Sequence, residues 1–234
     1  MKNAITVLAV LILGFKSYAQ NERGHIGLSL GPSFPIGDLS SKDYDNVAAG
    51  WANTGAIFDI SFAYKLGKGN FGISALLRGQ FNSYDARSFA NELSNQFGGV
   101  NWTVESDGWG IGGLMVGGFG SFPVSKIATF DTRAMIGFLS AVSPEITLTA
   151  IGPGGVGWAR QSSATSTSFA YLIGAGFKFE IGKKLYLLSN LDYLGSKPEF
   201  TNVQTLSSDG SRITDTWSQS MGAINLSVGV AFKL

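Results

Sequence analysis

From residue 24 onward the chain divides into eight segments in which apolar and small or polar residues alternate: 24–34, 52–66, 70–83, 108–122, 126–142, 166–181, 184–195 and 219–234. Alternation with a period of two marks a β-strand with unlike faces, and none of the segments shows the 3.6-residue period of a helix. Each is longer than the roughly 5–6 residues usual for a strand. The two faces differ sharply. In 56–66 one face holds Phe58, Ile60, Phe62 and Tyr64; in 71–81 it holds Phe71, Ile73, Leu77 and Phe81. Segments 169–181 and 222–234 repeat the pattern, and none of these four faces carries a charge. The interleaved face mixes Gly, Ala and Ser with Asp59, Arg78, Gln80, Lys178 and Asn225.

A soluble sandwich also alternates, but its outer face must be richly polar. Here the second face is small and sparsely charged, which suits the crowded interior of a small barrel, so the large residues must face outward. That inversion predicts a membrane barrel, where a Lys or Arg facing mid-bilayer lipid costs about 2–4 kcal/mol. The connections agree. LGKGN (66–70), FPVSK (122–126) and EIGKK (180–184) are short turns, while 35–51, 84–107, 143–165 and 196–218 are long and polar. Short periplasmic turns and long outer loops are the asymmetry of outer-membrane barrels. The predicted fold is all-β: an eight-stranded antiparallel up-and-down transmembrane barrel with both ends on the periplasmic side.

The N-terminus names the route to that membrane. Lys2, the apolar run AITVLAVLILGF (4–15) and the small-x-small site SYA (17–19) read as a cleaved signal peptide over 1–19, leaving a barrel domain over 20–234. Twelve apolar residues fall short of the about 20 needed to span a bilayer as a helix. Composition narrows the chemistry. The chain lacks cysteine, which removes disulfides and thiolate sites. A formal charge of +1 gives no field to attract nucleic acid, so no nucleic-acid partner is expected. Charged residues make up 14% of the chain, against roughly 25% in soluble domains.

Aromatic placement suggests two girdles at the lipid–water boundaries. Trp51, Trp109 and Trp217 fall at outer strand ends, and Tyr64, Phe71, Phe122, Phe179, Tyr186 and Phe232 near inner ends. Trp102, Trp158, Phe89 and Phe97 lie in the outer loops, as candidate anchors of a recognition surface.

The best-defined polar constellation is predicted inside the barrel. If the 66–70 turn pairs Leu66 with Phe71, Asp59 and Arg78 face each other across neighbouring strands. Asp131 and Arg133, with Asp192, then project inward at similar depth. Unpaired charge in a packed interior is costly, so mutual pairing is expected. The interior of an eight-stranded barrel is just wide enough for side chains, which makes this lumenal network a plug.

GPSFPIGDL (31–39) followed by AAGWANTG (48–55) is similar to the opening of the outer-membrane β-barrel domain family that includes PorT-like proteins. The overall plan also resembles the small barrels of the OmpA and opacity type. The resemblance implies an eight-stranded outer-membrane barrel and little about activity, because fold does not give function. It suggests an accessory role in envelope secretion or assembly, with envelope proteins as partners. No C-terminal peptidoglycan-binding domain is expected with the barrel. The closing segment SVGVAFKL (227–234) presents Ser227, Gly229, Phe232 and Leu234 in a polar-x-Gly-x-x-aromatic-x-apolar arrangement. That resembles the C-terminal signal read by the barrel assembly machinery, with Leu234 in place of the usual aromatic.

Other chemistry is thin. GWGIGG (108–113) and GPGGVG (152–157) match G-x-G-x-x-G, but neither opens a helix after a strand, as a dinucleotide site requires. The first reads as tight strand packing and the second as a loose loop. His25, the single histidine, falls at the periplasmic rim as a solvated residue, far from any outer-leaflet lipid substrate. No cofactor, metal site or catalytic group is expected. The outer stretches carry 11 acids and 5 bases, a mildly acidic surface. The expected protein is a non-enzymatic outer-membrane barrel with a structural or surface-recognition role, surrounded by lipid and lipopolysaccharide. A small-solute pore and a lipid-modifying enzyme are the remaining classes.

Overall fold

Eight strands close into a barrel in the computed structural model, which describes residues 23–67 and 69–234. Around the ring the order is β1 (Gly24–Ile36), β13 (Met221–Lys233), β10 (Leu185–Ser196), β9 (Thr165–Gly182), β6 (Ala128–Val142), β5 (Gly108–Pro123), β3 (Phe71–Tyr84) and β2 (Ala52–Lys65). All neighbours are antiparallel. These strands are the eight alternating segments of the sequence. The signal-peptide expectation for 1–19 lies outside the described residues.

The pleat sorts the side chains as the inversion requires. Phe138, Ile173 and Val228 are 65%, 62% and 56% exposed on the outer wall. Leu76, Met115 and Leu172, one pleat away from such residues, are buried within. A folded barrel that exposes this much apolar surface is matched to lipid, not water. Closure removes every strand edge from the belt. At the seam His25 lies opposite Lys233 and Leu28 opposite Val230, and the Leu234 N–H donates to Gly24 O at 2.9 Å. Gly229 is required there, because a Cβ would stand 2.1 Å from Leu28 O.

The long outer stretches are not loops. They hold β4 (Asn101–Ser106), β7 (Ile146–Gly152), β8 (Gly155–Gln161), β11 (Glu199–Ser207) and β12 (Arg212–Ser218), joined in a second sheet of order β12-β11-β8-β7-β4. That order copies the order of the barrel strands they extend, β13-β10-β9-β6-β5. The register is carried across too. Gly110 faces Val142 in the wall, and four residues further along each strand Ser106 faces Ile146. In the same way Ala170 faces Ser196 in the wall, and nine residues outward on each strand Gln161 faces Thr205. Five of the eight strands therefore run on past the lipid belt as one ladder with a break in it. Two of the breaks carry buried prolines, Pro144 and Pro198. Proline has no N–H to give the ladder, so it suits an interruption.

Over β1, β2 and β3 no outer strand stands. The gap is filled by a 3-10 turn (Gly37–Ser40), the chain up to Trp51, and helix α1 (Ala86–Gln96). Asp85 caps α1, accepting from the Ser88 N–H at 3.2 Å. Gln219, in the link between β12 and β13 beside β1, ties down the filling segment by donating to Ala48 O at 3.0 Å.

Candidate functional site

The lumen holds a four-residue ion cluster. Arg78 is directly opposite Asp59, donating from Nε to Oδ1 at 2.8 Å and from Nη2 to Oδ2 at 2.6 Å. The same Nη2 reaches Asp192 Oδ2 across the barrel at 2.8 Å. Arg133 grips Asp192 from the other side, Nε to Oδ1 at 2.8 Å and Nη2 to Oδ2 at 2.6 Å. The side chains of Asp59, Arg78 and Asp192 are wholly buried. Two carboxylates against two guanidiniums leave the cluster neutral, which is how a low-dielectric interior tolerates charge. Gly174 makes room for it: a Cβ would lie 2.0 Å from Asp192 Oδ1.

Asp131 does not join this cluster. It turns to Lys178, 3.1 Å away, nearer the inner rim, and Lys178 also reaches Ser121 Oγ at 3.3 Å and the Tyr186 ring at 5.2 Å from its centroid. Sequence reasoning placed Lys178 on the inward face without a partner, because the long connection between β6 and β9 does not fix the register that sets Lys178 beside Asp131. A second polar group lines the outer half of β1 and β3: Gln80 donates to Asn82 Oδ1 at 2.8 Å, and Asn82 donates to Asn53 O at 3.0 Å. Facing it, Met115, Met135, Leu139 and Leu172 form an apolar wall. The lumen is thus filled by side chains.

The outer mouth is roofed. Trp109 meets Phe200 and Trp217 with ring centroids 6.1 Å apart in each case, and Phe200 meets Trp217 at 4.7 Å. Trp109 Nε1 donates to Gly50 O at 2.8 Å. Trp51 is turned inward by a left-handed backbone (φ 52°), held by Trp51 N–H to Ser41 O at 3.1 Å and Asp85 N–H to Trp51 O at 2.8 Å. The tryptophans expected as an outer lipid girdle are instead 5% (Trp51) and 2% (Trp109) exposed, closing the barrel from above. A position at a strand end gives height but not facing, and apolar burial under the outer sheet decided the facing. Among the expected inner aromatics, Phe71 and Phe232 do face lipid, whereas Tyr186 turns inward against His25 at 6.0 Å. His25 is correspondingly buried, not solvated.

Above the roof lies a cup of about 420 Å³. One side is built from Tyr44, Trp51, Tyr84 and Phe89, the other from Ile146, Leu148, Ala159, Gln161 and Thr205 of the outer sheet. In β6, the wall strand that β7 extends, the positions of the same parity, Ile136 and Phe138, face lipid; the pleat changes phase across the break at 143–145. Beside the cup, Lys42 pairs with Asp85. Partial burial tends to raise the Asp85 carboxyl, but hydrogen bonds from Lys42 and Ser88 outweigh it and hold it below the usual carboxylate range.

The remaining sequence candidates are structural. Residues 108–113 lie within β5, and 152–157 form the β7–β8 hairpin, with Gly155 at φ 111° in its turn, so the expected loose loop is an ordered one. Of the outer aromatics, Phe89 packs on Trp51 at 4.9 Å and Phe97 on Trp102 at 6.0 Å, while Trp158 is 41% exposed on the sheet. At the seam Ser227 is buried in the lumen and Phe232 is exposed to lipid.

No family model matches the chain, and no curated protein sequence is recognisably similar. Solved structures are. Neisserial surface protein A has 13% identity and a TM-score of 0.51, with 90% of this chain and 97% of that one covered. A major outer membrane protein of Thermus thermophilus has 10% identity and a TM-score of 0.48, with 90% and 99% covered. Ail, the attachment invasion locus protein of Yersinia pestis, has 12% identity and a TM-score of 0.43, with 91% and 99% covered. Only the first score reaches the level of a shared fold, that of a small outer-membrane β-barrel.

Proposed function

We propose that this outer-membrane barrel is closed to solutes, catalyses no reaction and works through its outer surface, as a structural or recognition element. One observation carries the reading: five strands continue in register beyond the lipid belt and build an ordered sheet over a roofed mouth. A pore gains nothing from such an extension, whereas a surface for contact needs rigid elements held clear of the headgroups. The neutral ion cluster and the apolar wall support a filled lumen. The Ser227, Gly229, Phe232 and Leu234 arrangement fits recognition by the barrel assembly machinery during insertion.

The test uses the refolded full chain in planar bilayers and cells that display it. The expected bilayer record is silent, and ohmic conductance steps would overturn the reading in favour of a pore. Because the chain lacks cysteine, single cysteines report topology. Ser208→Cys, at the tip between β11 and β12, should react with an impermeant maleimide on intact cells, and Gly67→Cys only after lysis.

A further inference from the structure

We infer that the cup above the roof is a binding site for a neutral saccharide, roughly a disaccharide in size. Its volume of about 420 Å³ lies within the roughly 300–1,000 Å³ of small-molecule sites. This deepens the surface-recognition reading and rests on it.

The lining sets the ligand's chemistry. No charged side chain lines the cup. Two charged pairs near it are already committed, Lys42 to Asp85 and Arg160 to Glu145, while the carboxylates of Asp43 and Asp45 flank the lining residue Tyr44 on the chain. An anionic ligand would lose its hydration and meet no cationic side chain in the lining, which disfavours it as the natural occupant, and no lining carboxylate is there to hold a cation. One wall is aromatic: the half-buried rings of Phe89 and Tyr84, 6.0 Å apart, suit the C–H face of a sugar, and the buried Trp51 packs against Phe89 at 4.9 Å. The opposite wall is amphipathic. Thr205 and Gln161 are direct cross-strand neighbours on the inner face, beside Ile146, which also lies opposite Gln161.

The polar groups are available. The Gln161 carboxamide, the Thr205 hydroxyl and the Tyr84 hydroxyl make no side-chain hydrogen bond to another described residue. Asn46, by contrast, is engaged locally, accepting from the Ala48 N–H at 2.9 Å and donating to Ser41 Oγ at 3.3 Å. A wholly apolar ligand would strip water from Gln161 and Thr205 without replacing it, and that penalty disfavours it. A carboxamide beside a hydroxyl both donates and accepts, which matches adjacent sugar hydroxyls. A ligand with one apolar face and one hydroxylated face satisfies both walls.

The experiment titrates the full chain in phospholipid nanodiscs with maltose, lactose and chitobiose, followed by calorimetry and tryptophan emission. At least one disaccharide should bind saturably, with an emission change that Trp51→Phe abolishes. The double variant Gln161→Leu/Thr205→Val should weaken binding at least tenfold while its thermal unfolding stays within a few degrees of the parent. Failure of all three sugars to bind, or unchanged affinity in the double variant, overturns the assignment. Tighter binding of glucose 6-phosphate than of the neutral sugars overturns the neutrality argument and the assignment with it. A second arm places the chain in discs with a lipopolysaccharide leaflet. An emission change there without added sugar supports the saccharide site with the membrane as its source, and a change only with soluble sugar supports it with a free source. A silent barrel without saccharide binding would reject the ligand alone, whereas a conducting barrel would reject the function it rests on.

Discussion

Arg78 on β3 donates across the lumen to Asp192 on β10, 2.8 Å away and 114 positions later in the chain. The contact ties opposite walls of the barrel together, and it makes Asp192 the hinge of the cluster, since Arg133 uses the same carboxylate.

Asp192→Ala should therefore be the most damaging single change in the lumen. It leaves two guanidiniums facing one carboxylate in a buried site, with an expected loss of about 3–5 kcal/mol. Urea unfolding in liposomes, read by tryptophan emission, measures it. Asp59→Leu alone should also be costly, but Asp59→Leu combined with Arg78→Met should cost less than the sum of the two. A double-mutant cycle that came out additive would contradict direct pairing.

Gly174→Ala tests how tightly the wall fits the cluster. Its Cβ would arrive 2.0 Å from Asp192 Oδ1, so the carboxylate must retreat from Arg133. The expected penalty is about 1–3 kcal/mol. Gly182→Ala, where a Cβ meets open space, is the control and should be near neutral.

Trp109→Ala removes the centre of the roof. The residue is 2% exposed and touches Phe200 and Trp217. A loss of about 3–5 kcal/mol is expected for a buried large aromatic. Hydrogen exchange should quicken in β11 and β12 more than in β3, because the roof links the outer sheet to the barrel.

The pH response of α1 follows from its cap. The Asp85 carboxyl is depressed in the folded state, with partial burial opposing and the Lys42 and Ser88 hydrogen bonds prevailing. A depressed carboxylate contributes stability that is fully present above its unfolded value of about 3.9 and lost as pH falls through the folded one. Protection factors of the amides of 86–96, with the intrinsic pH dependence of exchange divided out, should thus be unchanged between pH 7 and 5 and fall below about pH 4. Asp85→Ala should remove that dependence and cost about 1 kcal/mol at neutral pH.

Much of the barrel was legible because lipid on one side writes a strong period of two. Phe58, Ile60 and Phe62 could face only hydrocarbon once Asp59 and Arg78 had to face inward. The short 66–70 turn then fixed the register that sets Asp59 opposite Arg78. The outer sheet was not legible for the converse reason. Segments such as Thr147–Ala150 and Thr201–Thr205 border water and other protein, so their faces differ little and the alternation fades into what reads as loop. The Asp131–Lys178 pair was missed because it joins β6 to β9 across a long outer connection whose length gives no register. Trp51 was misplaced for a local reason: its left-handed backbone reverses the direction a strand end would have given.

The register that wall and outer sheet share at Ser106–Ile146 and Gln161–Thr205 has a mechanical consequence. Ladder hydrogen bonds run perpendicular to the strands. A pull on the outer hairpins, directed along the strand axes, therefore loads many of these bonds together in shear instead of peeling them one by one. Tension at the cell surface would thus be passed along the shared strands into the membrane-embedded ring.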